Sequence, residues 1–131
     1  MKKKTKIILL IILCIVVLGY IIMEISMSKI EKNLEGLKNT SIANIDISKL
    51  DDGVYQGEYE MFPIKVLLEV TIDNQKITNI EIIEHQNGKG GNAEAITDDV
   101  IEGQSLQVDT ISGATYSSKA ILKAIENALT K

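Results

Sequence analysis

The apolar positions of this chain begin as an unbroken run from Ile7 to Met23, closed by Glu24. A helix of seventeen residues spans about 26 Å against a hydrocarbon core of roughly 30 Å, and Ile25, Met27 and the stem of Lys6 can supply the remainder. Residues 1–28 therefore read as a basic N-terminus and one transmembrane helix. From Ser28 to Lys38 the residues are charged, with Ile30, Leu34 and Leu37 at helical spacing, so the helix is expected to continue as a stalk. Gly36 and the polar run Asn39 to Ser41 weaken that pattern. Residues 29–52 read as stalk and linker, with a spacing role.

From residue 53 the period changes to two. Val54 to Tyr59 predicts a strand with Tyr55 and Tyr59 on one face. Ile64 to Ile72 predicts a longer one, with Val66, Leu68, Val70 and Ile72 facing one way and Lys65, Glu69 and Thr71 the other. Asp73 to Lys76 is a turn and Ile77 to Glu84 the returning strand. A glycine-containing loop, His85 to Gly91, follows and would either cover a flat ligand or simply connect. Helical spacing returns from Asn92, a candidate cap, to Ile101, and again in a final helix from Ser118 to Leu129. There Ile121, Leu122, Ile125 and Leu129 form a stripe, and Ala120, Ala124 and Ala128 recur every four residues to allow close packing. Strands first and helices later predict an α+β domain over 53–131: an antiparallel sheet meander packed by two helices, preceded by one N-terminal transmembrane helix.

Charge adds direction to this layout. Four lysines lie among the first six residues, which by the positive-inside rule keeps the N-terminus in the cytoplasm and the remainder outside the cell membrane. A cleaved signal peptide competes with this reading, but the apolar run is long for one and Ile-Ser-Met-Ser is the nearest thing to a cleavage site. Cys14 follows Leu13 rather than a small residue, so it reads as an apolar member of the span and not a lipidation site. The net charge is −4 and becomes −8 without the leading lysines, which argues against nucleic acid as a partner. The outer part has no cysteine and one histidine, and the whole chain has no arginine. That excludes a disulfide scaffold, an iron–sulfur cluster, a c-type haem site and a thiolate zinc site, and no metal site is expected. A phosphate would have to be held by backbone N–H groups, hydroxyls, a lysine or a covalent bond.

Asp109 to Ser118, between a β-like run (Ser105 to Val108) and the last helix, carries the candidate chemistry. It holds Thr110, Ser112, Thr115, Ser117 and Ser118 around Gly113 and Ala114. Small hydroxyl residues where a helix begins suit an anion, because the first N–H groups lack helical partners and the dipole end is positive. They are equally suited to be ordinary N-caps.

Asp109-x-x-Ser112-Gly113-Ala114-Thr115-x-Ser117 resembles the attachment motif of the FMN-binding domain family, which includes flavin-carrying components of the sodium-pumping NADH:quinone reductase and of the related Rnf complex. The opening Asp52-Gly53-Val54-Tyr55-Gln56-Gly57, the strand ending in His85, and Gln104-Ser105 add to the resemblance, which covers roughly 53–131. It implies covalent FMN on Thr115 through a phosphoester, made by a separate flavin transferase from FAD with a divalent metal. Asp109 would then belong to the segment the transferase recognises. Ser112, Gly113 and Ala114 would form the presenting turn, Ser117 and Ser118 would donate to the phosphate, and His85 would lie near the flavin. The expected protein is a membrane-anchored extracytoplasmic electron carrier with a quinone- or NADH-linked membrane redox partner, not a stand-alone enzyme. A noncovalent FMN-binding domain, or a structural exported domain without redox role, is the alternative.

Overall fold

The computed structural model describes residues 2–86 and 91–131 and divides the chain into two compact units, 1–32 and 33–131. The first is formed by helix α1 (Lys3–Lys38) as far as Lys32. Every large apolar side chain from Ile7 to Met27 is exposed, and Cys14 is exposed with them rather than buried in protein. By length and composition α1 can cross a membrane.

The second unit is α+β, as expected. Strands β1 (Gly53–Met61), β2 (Ile64–Asp73) and β3 (Lys76–Gln86) form an antiparallel meander in that order. β1 and β2 join at Phe62–Pro63, a cis peptide bond. At the β2–β3 hairpin Asn74 and Gln75 take φ values of 51° and 61°, the paired positive angles that a two-residue turn matching the strand twist demands. β2 alternates cleanly: Ile64, Val66, Leu68, Val70 and Ile72 are buried.

β3 does not alternate cleanly, and the reason matters for the site. Ile77, Ile80 and Ile82 pair with Ile72, Val70 and Leu68 on the inner face, so the pattern skips at two places where the register shifts. Each β-bulge inserts one residue and reverses the inside–outside parity beyond it. The second, at Ile83, leaves that isoleucine half exposed and brings His85 opposite Val66, on the inner face. On the outer face Lys65 pairs with Glu84 at 3.2 Å, and the hydrogen bond from that lysine to the carboxylate raises the lysine pKa.

Helices α2 (Ile96–Gly103) and α3 (Thr115–Leu129) cover the inner face. α3 lies against β1 at Gly57. A Cβ there would collide with the Ala124 carbonyl and come within 2.6 Å of the Ala128 Cβ, so the alanine repeat and the glycine together permit the approach. Asn127 Nδ2 donates to Glu58 O and Lys131 Nζ to Gln56 O, covering carbonyls along the free edge of β1. These two bonds also fix direction. α3 runs antiparallel to β1, and its first turn lies toward the β1–β2 hairpin, the same end of the sheet as His85.

Three local expectations change. The helix expected from Asn92 begins as a 3-10 turn at Gly91–Ala95, and α2 starts at Ile96 without a side-chain cap from Asn92. Ser105 to Val108 forms no strand, because the edge of β3 beside it is taken by Gln104, whose side-chain amide bonds both the N–H and the C=O of Ile77 at 2.8 Å. The linker does more than space. Leu37 is fully buried, Ile47 is 6% exposed, and Leu34, Ile42, Ile45 and Leu50 pack on the same core. Burying Leu37 alone stabilises by about 2 kcal/mol, and the second compact unit runs from Asn33.

A fragment of residues 33–131 is therefore expected to unfold cooperatively in urea, whereas one of residues 53–131 shows no cooperative transition. Gly57→Ala should lower the stability of the longer fragment by about 3 kcal/mol, read from the urea midpoint.

Candidate functional site

The site forms where the crossover from α2 returns to the inner face. Ile111 to Ala114 makes a tight turn in which Ala114 N–H donates to Ile111 O at 3.0 Å. Gly113 occupies its third position with φ +78°, a value that L side chains adopt only with strain, which is the local reason for glycine there. Ser112 and Gly113 are exposed at the tip.

Thr115 is the first residue of α3. The residue in the cap position is Ala114, and no side-chain oxygen caps the helix. The N-cap role expected of a hydroxyl is thus unfilled, because the chain enters the helix through the backbone of the turn. Thr115 is half-buried, and its hydroxyl has no hydrogen-bond partner among the described residues. A hydroxyl with no partner among the described residues, at the positive end of a helix without a side-chain cap, could carry a phosphoester, whose charge would sit where the cap is missing.

The serines that follow are buried. Ser117 is 4% and Ser118 0% exposed. Ser118 Oγ accepts the Ile111 N–H at 3.0 Å, and its own N–H donates to Ala114 O at 2.9 Å. Its hydroxyl oxygen serves the turn from inside the protein. Asp109 is exposed and, with Ser41, Gln107 and Lys119, borders an open groove of about 380 Å³. Lys119 Nζ donates to Thr40 O at 3.0 Å.

His85 has a side chain only 3% exposed, and its Nδ1 lies 3.0 Å from Glu94 Oε1 in the 3-10 turn, which packs against α3. Glu94 itself is half exposed. Sequence reasoning missed this partner, since nothing in a nine-residue separation across a glycine loop marks the two as neighbours. It also missed Ile111, whose backbone is the anchor of the turn. Residues 87–90, including Lys89, lie outside the described residues, and so does the middle of the expected ligand-covering loop.

Residues 62–130, more than half of the chain, match the family model of the FMN-binding domain. The chain belongs to the FMN-binding domain family. A protein of Vibrio harveyi named NADH:acrylate oxidoreductase is 31% identical over 107 residues, which cover 76% of this chain and 10% of that protein. An uncharacterized protein of Treponema pallidum (strain Nichols) is 29% identical over 85 residues, 63% of this chain and 24% of its own length. The chain thus spans a quarter or less of these relatives. As an FMN-binding domain it carries the turn 111–114, the uncapped Thr115 and the inward-facing His85 within the matched residues.

Gly113→Ala in this FMN-binding domain meets no atom within 4 Å but must adopt the positive φ. It should lower stability by about 1 kcal/mol, and Gly113→Asn by less, in thermal unfolding monitored by circular dichroism.

Proposed function

We propose that this chain is a membrane-anchored, extracytoplasmic electron carrier with FMN attached covalently to Thr115. The observation that carries the reading is the start of α3: an alanine in the cap position and a half-buried threonine hydroxyl with no partner among the described residues. Bound FMN would supply reversible one- and two-electron chemistry, while the protein supplies its position and surroundings.

In the attachment step Thr115 Oγ forms a bond to the flavin-side phosphorus of FAD. The bond from that phosphorus to the adenylate breaks, AMP leaves and the hydroxyl proton passes to the transferase or to water. The reaction is a phosphoryl-type transfer without change of oxidation state, and it needs a flavin transferase as partner. Exposed Asp109, Ser112 and Gly113 are the surface such an enzyme would read. Ala114 completes the turn, and the N-terminal N–H groups of α3 would face the phosphate. Buried Ser117 and the His85–Glu94 pair would form the wall behind it.

Anchoring rests on the exposed apolar length of α1 and the lysines before it, which favour a cytoplasmic N-terminus. An electron-transfer role is in keeping with the name of the Vibrio harveyi relative, although this chain corresponds to a tenth of it. The proposed partner is a quinone- or NADH-linked membrane component, not an organic substrate turned over unaided.

Intact-mass analysis of the full chain made with a flavin transferase should give one added FMN phosphoester, retained through acid precipitation and absent from Thr115→Ala. Colourless protein, or flavin released by acid, would favour the alternative of a noncovalent or purely structural domain.

A further inference from the structure

We infer that Ser118 is a positioning residue for flavin attachment, holding the 111–114 turn closed so that Thr115 Oγ is presented from a preformed surface; this rests on the reading of Thr115 as the attachment site. Three hydrogen bonds form a closed circuit here. Ile111 N–H donates to Ser118 Oγ at 3.0 Å, Ala114 N–H donates to Ile111 O at 3.0 Å, and Ser118 N–H donates to Ala114 O at 2.9 Å. Both backbone groups of Ile111 are engaged, one by the turn and one by the helix. Ser118 is 0% exposed, so no water competes for its oxygen.

The turn has reason to open without this clasp. Its tip, Ser112 and Gly113, is exposed, Gly113 has conformational freedom, and α3 has no side-chain cap. Ser118 stands three residues beyond Thr115 on α3, so its side chain and the attachment point are neighbours on the same helix surface. The helix that carries the acceptor hydroxyl therefore also carries the group that fixes the approach to it. In attachment the Thr115 oxygen gains its bond to the flavin-side phosphorus of FAD as AMP departs and the hydroxyl proton is lost. A preformed turn would leave less motion to be frozen in that step.

The test uses the full chain in detergent with a flavin transferase, FAD and magnesium, following the mass shift with time and, separately, amide hydrogen exchange at Ile111 before any flavin is added. Ser118→Ala should keep the native circular dichroism, speed exchange at Ile111 and lower kcat/KM for attachment about tenfold, in line with the loss of one buried hydrogen bond. Ser118→Cys, which keeps the volume with a weaker acceptor, should fall between, and it carries the test if the alanine variant does not fold. Faster exchange at Ile111 with attachment at the wild-type rate or above would overturn the inference, since the transferase would then be reading an open chain. Unchanged exchange in both variants would overturn it as well. Failure of the wild type to gain flavin, or gain of flavin by Thr115→Ala, would remove the attachment reading itself and is seen before any Ser118 variant is compared.

Discussion

The structure depends on the close approach of α3 to β1 at Gly57. A helix and a strand usually keep side chains between them, but here Ala124 and Ala128 meet a residue with no side chain. Dispersion contacts at this distance are individually small and numerous, and they are lost together if the surfaces separate. The approach sets where the helix axis lies, and Asn127 and Lys131 set which way it runs. The position of Thr115, twelve residues upstream of Asn127, follows from those two facts.

The second determinant is the pair of bulges in β3. A regular strand ending at Gln86 would alternate through Ile82 and Glu84 and leave His85 on the outer, acidic face. The extra residue at Ile83 exchanges those roles, so Glu84 meets Lys65 outside while His85 meets Glu94 inside. A bulge is costly to a ladder, and its use next to a candidate site is the usual way a sheet re-aims one side chain.

Much of this was legible in the order of residues. The alternation of β2, the alanine repeat of α3 and the length of α1 each follow from a period that local physics imposes. What was hidden depends on contacts across the chain. Leu37 looks like one more apolar residue on a charged stalk, and only the core shows that it completes the domain. Gln104 looks like a loop residue, yet its amide substitutes for a missing strand along Ile77, with Gln104 itself at φ 49°. Hydroxyls near a helix start read alike in sequence. In the fold one of them, Ser118, is turned to the backbone of Ile111, and another, Thr115, is left without a partner among the described residues.

That division of labour bears on why the proposed covalent link would suit this domain. A noncovalent flavin site generally encloses most of its ligand in a concave, largely apolar pocket. The groove beside Asp109 is open and is lined by residues from Ser41 to Leu122 without including Thr115. The chain has no arginine with which to grip a phosphate by a bidentate pair. Binding energy that such a surface does not gather can be replaced by a bond, because a tethered ligand loses its freedom of association once, at attachment. With the proposed link made, the protein would have only to orient the group. For that, a short turn, the first N–H groups of α3 and the inward-facing edge of β3 would form the frame.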